Sequence, residues 1–252
     1  MLNESDSPAA PAGGGTVPEQ QGSLLLIDKP YGWTSFDVVA KVRNALKKSG
    51  QRMKVGHCGT LDPKATGLLL LATGRKTKTI SSLEILDKVY EGTIKLGVQT
   101  ASHDTETPEF AHCSTDHLTH ADMIRTAASF IGQSQQLPPM HSAVWHNGTR
   151  LYEHARKGEV VRDRKPRNIT IFRFEITGTE LPFVHVRLHV SKGAYIRVIA
   201  DEFGRRLGVG GYLAALRRTA IGEWELGSAK SLEETIGLIL HDNNSCDQQQ
   251  GG

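Results

Sequence analysis

The chain has 252 residues, 38% hydrophobic and 23% charged, the make-up of an ordinary globular protein with room for one large domain or two modest ones. No apolar run reaches membrane-spanning length, the longest being Leu68 to Ala72, and residues 1–22 hold no Lys, Arg or apolar segment; neither a bilayer span nor a secretory leader is expected, and a cytoplasmic location is. The net charge of +3 hides a stronger bias, because Glu4, Asp6, Glu19, Asp242 and Asp247 lie in base-free ends and leave 30 basic against 22 acidic residues, +8, over residues 23–240, a balance that suits a polyanionic partner.

Residues 1–22, rich in Gly, Pro, Ser and Ala, read as a disordered tail, and residues 241–252 as a second one, which leaves 23–240 as the folded domain. Leu24 to Ile27 is an apolar run stopped by Lys29-Pro30 and Gly32, a buried strand entering a turn. Thr34, with Asp37 three residues on, caps a helix that carries Val38, Val39, Val42, Ala45 and Leu46 on one face and ends at Gly50. The segment KVGHCGTLDPKATG is too dense in Gly, Pro and Thr for regular structure, and LLLLATG after it reads as a strand.

Residues 89–96 alternate as a strand does. Thr119 and Asp122 open a helix expected to bury Ile124, Ala127, Ala128 and Ile131. Two further strands fall at 169–176 and 183–190, the second with Val184, Val186, Leu188 and Val190 on one face and His185, Arg187 and His189 on the other. A helix with Ile199, Phe203 and Leu207 ends at Gly208, and Ser231 with Glu234 caps a last short one. Strands that neighbour each other as hairpins, with fewer helices between, give an α+β fold with a mixed, mainly antiparallel sheet.

Three cysteines, Cys58, Cys113 and Cys246, show no CxxC spacing and one is left over in any pairing, which fits a reducing compartment. No phosphate loop is present, because Gly67 is not followed by Lys-Ser or Lys-Thr. His112, Cys113, His117 and His120 lack a standard zinc spacing and read as a polar loop entering a helix.

The segment 56–74, GHCGTLDPKATGLLLLATG, carries the chemistry. Gly56, Gly59 and Gly67 allow tight turns and close approach to a ligand, and Pro63 holds Asp62 out of the α region, so the carboxylate is presented at a fixed angle beside a buried strand. Spacing alone leaves two readings open, a catalytic carboxylate or an aspartate bonding the N–H groups of its own turn.

That segment closely resembles the signature of the TruB family of tRNA pseudouridine synthases. LLLIDKPYGWTSFDVVAKVR (24–43), KVYEGTIKLGVQT (88–100), QLPPMHSAVWHNGTRLYEHARKG (136–158) and SKGAYIRVIADEFGRRLG (191–208) resemble further family blocks in the family's order, from residue 23 to about 232. The resemblance implies the pseudouridine synthase catalytic fold, and an enzyme that flips uridine-55 out of the tRNA T-loop, breaks its glycosidic bond and rejoins the uracil through C5. No redox or hydrolytic step is involved, so neither a cofactor nor a metal is expected, and no protein partner.

By the same resemblance Asp62 is the catalytic aspartate, Arg197 the cation that lets a buried carboxylate stay ionised, and Tyr90 the ring that stacks on the target base. Without the resemblance, Tyr90 would read as a core-facing strand residue and Arg197 as a surface ion pair. Tyr195, Leu216 and His57 match substrate-pocket positions. The basic stretch 150–173, with Arg150, Arg162, Arg164 and Lys165 among its eight bases, belongs in the family to an insertion, here about 136–168, that closes over the T-loop; these residues are expected to grip RNA phosphates, as are Lys29 and Lys192. Cys58 replaces a usual threonine and His141 a common tyrosine. Many bacterial relatives continue into a small RNA-binding PUA domain that the residues after Leu240 do not supply, so tRNA binding through the catalytic domain alone is expected. A non-catalytic tRNA-binding or folding protein needs the basic surface but not Asp62, Tyr90 and Arg197 together; a related synthase acting on another RNA keeps all three.

Overall fold

The computed structural model describes residues 22–241; apart from Gly22 and His241, the two expected tails lie outside the described residues. Strand β1 (Leu24–Lys29) leads into helix α1 (Ser35–Lys48), where the Thr34 hydroxyl accepts from the Asp37 N–H and the Asp37 carboxylate accepts from the Thr34 N–H at 2.9 Å. The apolar face read from the sequence is the buried one, Val38, Val39, Val42, Ala45 and Leu46. Strands β2 (Val55–His57) and β3 (Ala65–Thr73) follow, then a 3₁₀ stretch (Gly74–Thr79), helix α2 (Ile80–Glu84) and strand β4 (Lys88–Leu96). Short strands β5 (Gln99–Thr100) and β6 (Glu109–Phe110) pair with each other ahead of helix α3 (His120–Ala128).

The second half contains β7 (Gly132–Gln136), the hairpin of β8 (Trp145–His146) and β9 (Thr149–Arg150), helix α4 (Leu151–Arg156), the long strands β10 (Arg167–Glu180) and β11 (Phe183–Val190), and helix α5 (Ile196–Arg206). Strand β12 (Gly211–Ile221), short strands β13 (Trp224–Glu225) and β14 (Lys230–Ser231), and helix α6 (Leu232–His241) complete the described chain.

One mixed sheet runs β14–β1–β3–β12–β4–β11–β10–β7, with β2 and β13 paired alongside β3 and β12. β1/β14 and β3/β12 are parallel and the remaining pairs antiparallel, which is the expected α+β architecture. The Leu run of β3 is buried on both faces, which is why it reads as unbroken apolar sequence rather than alternation. Leu69 and Leu71 meet α1, while Leu68, Leu70 and Ala72 meet Cys58, Leu83 and Ile221. A larger core lies between α3, α5 and the strands β4, β10 and β11.

Two sequence expectations are corrected, and one strand had no sequence expectation at all. Pairing reaches into the glycine-rich segment, because β2 hydrogen-bonds antiparallel to β3 and β3 already starts at Ala65. In α3 the buried stripe is Met123 and Ala127, continued by Phe130, at steps of four and three; Ile124 and Ile131, one residue off that stripe, are half exposed. The central strand β12 went unread, because GYLAALRRTAI is rich in helix-forming Ala, Leu and Arg and only its position between β3 and β4 makes it a strand.

That central position organises the site. β12 lies parallel to the start of β3, with Leu216 opposite Ala65 and Arg218 opposite Gly67, and antiparallel to β4, with Arg218 opposite Tyr90. Gly67 has φ +100°, and a Cβ there would lie 2.3 Å from the Arg218 carbonyl oxygen, so the two strands meet only with glycine at this point.

Candidate active site

The turn between β2 and β3 is pinned before the carboxylate appears on it. Ser35, at the start of α1, donates from Oγ to the Leu61 carbonyl at 3.1 Å and accepts from the Leu61 N–H at 2.9 Å. From beneath, Arg218 donates through Nε to Leu68 O at 2.7 Å, through Nη1 to Thr60 O at 3.2 Å and through Nη2 to Gly59 O at 3.4 Å. Arg218 is almost fully buried and bonds to carbonyls, so it is a cation placed under the turn for geometry and field together. Asp62 extends from this turn with its side chain 45% exposed.

Asp62, Tyr90 and Arg197 line one cleft of about 1490 Å³, together with His57, Tyr195 and Leu216. Arg197 comes from the first turn of α5. Its Nη2 lies 3.6 Å from the Asp62 carboxylate, while its hydrogen bonds go elsewhere, Nη1 to Asp104 Oδ2 at 3.0 Å and Nη2 to the His141 carbonyl at 2.7 Å. The expectation of a buried carboxylate is thus reversed, for the arginine side chain is 6% exposed and the aspartate opens onto the cleft. A buried guanidinium fixed by Asp104 and a carbonyl presents a constant positive charge to Asp62 without covering it.

Tyr195 precedes α5 and is held at both ends of its peptide by Gln136 of β7, whose Oε1 accepts from Tyr195 N at 2.7 Å and whose Nε2 donates to Tyr195 O at 3.1 Å. Tyr90 on β4 is 8% exposed and belongs to the larger core, as a core-facing strand residue does, and it also lines the cleft. Burial pulls the His57 imidazole below its ordinary pKa, favouring the neutral ring against the pull of Glu84.

The bases separate into groups. Arg150 and Lys192 line the cleft, and Arg150 also stacks on exposed Trp145 at 4.8 Å from the ring centre. Arg162 and Lys165 are exposed but do not line it, and Arg164 donates to Pro138 O at 2.7 Å within the excursion that leaves the sheet at β7 and returns at β10. Lys29 is not a surface contact. It is 0% exposed, and its Nζ donates to Pro30 O at 3.0 Å and Trp33 O at 2.7 Å. Burial lowers its pKa to about 8, with Asp62 pulling upward. Lys88, on the cleft wall, is lowered to about 8 by burial and then by Arg218.

Cys58 is fully buried among Leu68, Leu70 and Leu83, and burial raises its thiol to about 11, so this departure from the family pattern faces the core. His141 lines the cleft and lends Arg197 its carbonyl. Cys113 is free, and Cys246 lies outside the described residues. Among the described residues no three His, Cys, Asp or Glu side chains gather to hold a metal ion, His112, Cys113, His117 and His120 included. No helix of the described residues is long and apolar enough to cross a membrane.

Asp104, Ser35, Gln136 and Arg218 were missed from sequence. Asp104 sits 93 residues from Arg197 in a polar loop with no motif of its own, and Gln136 lies 59 residues from Tyr195, so no local signal exists for either. An arginine pair inside β12 was the one available hint.

The chain that carries this sheet and cleft is a pseudouridylate synthase, as its similarity to known proteins shows. The chain matches the model for the TruB family pseudouridylate synthase (N terminal domain) over residues 43–196. It is 70% identical to the tRNA pseudouridine synthase B of Chlorobium chlorochromatii over 224 residues, 89% of this chain and 88% of that protein, and 61% identical to that of Chlorobaculum tepidum over 89% and 93%. Among solved structures, it resembles a chain of the crystal structure of a Cbf5-Nop10-Gar1 complex, with TM-score 0.64 and 27% identity over 85% of its own length, spanning 53% of that chain. The chain belongs to the TruB family.

Proposed function

We propose that this enzyme isomerises uridine-55 in the T-loop of tRNA to pseudouridine, with Asp62 as the catalytic carboxylate. The single observation that carries the reading is the convergence of Asp62, Arg197 and Tyr90 on one cleft, from a turn, a helix start and a strand far apart in sequence. Relatives 70% and 61% identical over most of the chain bear the name tRNA pseudouridine synthase B, which supports tRNA as the substrate.

In this reading the target base leaves the stack and enters the cleft, where the ring of Tyr90 packs against it and Leu216 and Tyr195 close the pocket. Asp62 acts on the sugar or the ring while the glycosidic bond is broken. Arg197, immobilised by Asp104 and the His141 carbonyl, holds the carboxylate in place and stabilises its charge. The detached uracil turns within the pocket and is joined again through C5, whose proton passes to solvent while N1, freed from C1′, takes one up. Residues 1–22 and 241–252 flank one catalytic domain, and residues 136–168 form an insertion that grips the T-arm through Arg150, Arg162, Arg164 and Lys165. Arg150 and Lys192 lie nearest the reacting nucleotide. No protein partner takes part.

Tritium at C5 of tRNA uridines reports the reaction directly. Purified enzyme should release label from whole tRNA, and the release should vanish when the T-loop uridine at position 55 is replaced by cytidine. Undiminished release from that substituted tRNA contradicts the assigned position and favours a related synthase acting elsewhere.

A further inference from the structure

Charge that the cleft does not use is concentrated beside it. Between residues 38 and 83 Asp62 is the only acid, while Lys and Arg recur throughout. The fold gathers part of this excess in a groove of about 640 Å³ formed by the later turns of α1, residues 51–54, β2 and the start of α2, with Arg43, Lys47, Arg52 and Lys54 along it. All four are exposed and none joins an ion pair among the described residues. Elsewhere several arginines are paired with acids, Arg125 with Asp122, Arg205 with Asp201 and Arg217 with Asp28, whereas, among the described residues, no base along this groove is. Lys76 and Lys78, exposed on the 3₁₀ stretch whose Thr77 lines the groove, strengthen the same field.

Uncompensated like charges burden the folded state by self-repulsion and attract a polyanion. The groove also shares its wall with the catalytic cleft. Gly56 lines the groove and His57, the next residue of β2, lines the cleft; on α2, Ile80 lines the groove and Ser81 the cleft. A polynucleotide with one nucleotide in the cleft has further backbone phosphates to offer an adjoining basic groove, which a free acidic protein does not.

We propose that this groove is a second RNA-binding surface, which grips the phosphates of the helical stem continuous with the target loop; this rests on the tRNA reading given above. Contacts of this kind supply affinity and orientation without reading sequence. The test is the variant Arg43→Gln/Lys47→Gln/Arg52→Gln/Lys54→Gln, with whole-tRNA binding titrated at several salt concentrations beside wild type. Each phosphate contact contributes about 0.9 to the slope of log K against log salt, so the variant's slope should be shallower by about two to four. Its affinity at about 0.1 M salt should be lower by about tenfold or more. Tritium release at saturating tRNA should stay within about twofold of wild type, which also reports that the variant is folded. A control variant, Arg125→Gln/Arg205→Gln, removes two acid-paired bases outside the cleft and the 150–173 stretch and should keep the wild-type slope. Equal slopes and affinities for wild type and the quadruple variant overturn the proposal, as does an equal loss in the control, which makes net charge the cause, and as does lost turnover with an unchanged slope. Failure of the tRNA reading shows separately, as wild-type enzyme that releases no tritium.

Discussion

Replacing Arg218 by Met keeps the buried stem of the side chain and removes its guanidinium. Three carbonyls lose a charged donor: Leu68 O at 2.7 Å, Thr60 O at 3.2 Å and Gly59 O at 3.4 Å. A buried hydrogen bond from a charged donor is worth about 1.5–3 kcal/mol. Only Leu68 is fully buried; Gly59 and Thr60 lie nearer solvent, where water replaces part of the loss. Part is also returned because Arg218 disfavours the charges of Lys29 and Lys88, and its removal relieves that repulsion. The net loss is about 2–3 kcal/mol, or about 4–12 °C in melting temperature for a domain of this size. Asp62 sits on the same turn, and a misplacement of about 1 Å at a reacting group costs about a hundredfold, so kcat for tritium release should fall about 10–100-fold. Thermal unfolding followed by circular dichroism and steady-state kinetics measure the two effects on one preparation. A variant melting within about 2 °C of wild type, with kcat within about twofold, refutes the reasoning that Arg218 holds the catalytic turn.

Arg197→Lys retains the charge but has no planar fork to hold Asp104 and the His141 carbonyl while facing Asp62; kcat should fall about a hundredfold with KM within about threefold, and a pure KM effect rejects the assignment. Ser35→Ala removes both bonds to Leu61 and should cost about 1–3 kcal/mol in urea unfolding, with a drop in kcat that an unanchored turn requires. Burial sets Lys29 and Lys88 at about 8 in the folded state against 10.5 in the unfolded one. Between those values the unfolded chain binds more protons, so the contribution of these two groups to unfolding free energy climbs from about pH 8 to about pH 10.5 and then levels. Urea titrations at about pH 7.5 and about pH 9.5 should show wild type gaining stability relative to Lys29→Met/Lys88→Met, and equal changes in both proteins reject the sign.

The parts of the fold written in short-range chemistry were legible. The Thr34–Asp37 and Ser231–Glu234 capping boxes and the alternation of β11 each depend on residues within a few positions, and the structure contains all three. β12 was not legible, since its composition favours helix and its strand state is imposed by β3 and β4 on either side. The same division runs through the site. The turn bearing Asp62 stands out by its glycines and Pro63, whereas Asp104 becomes the anchor of Arg197 only through a contact across 93 residues.

Lys29 shows the limit from the other direction. As sequence it is one more base in a basic protein; in the fold, Pro30 and Trp33 turn their carbonyls onto its ammonium and remove it from any phosphate. Arg197 was placed beside the catalytic carboxylate by the resemblance, but which of the pair is buried depends on the depth of α5 against the sheet, a property of the whole core rather than of the motif.

The role of Asp62 is tested most directly by Asp62→Asn, a near-isosteric change on a half-exposed side chain that leaves Arg197 anchored to Asp104. C5-tritiated tRNA should bind this variant with an affinity within about threefold of wild type and lose no label to water over many wild-type turnovers. Release at the wild-type rate contradicts the assignment of the catalytic carboxylate and, with it, the account of the cleft.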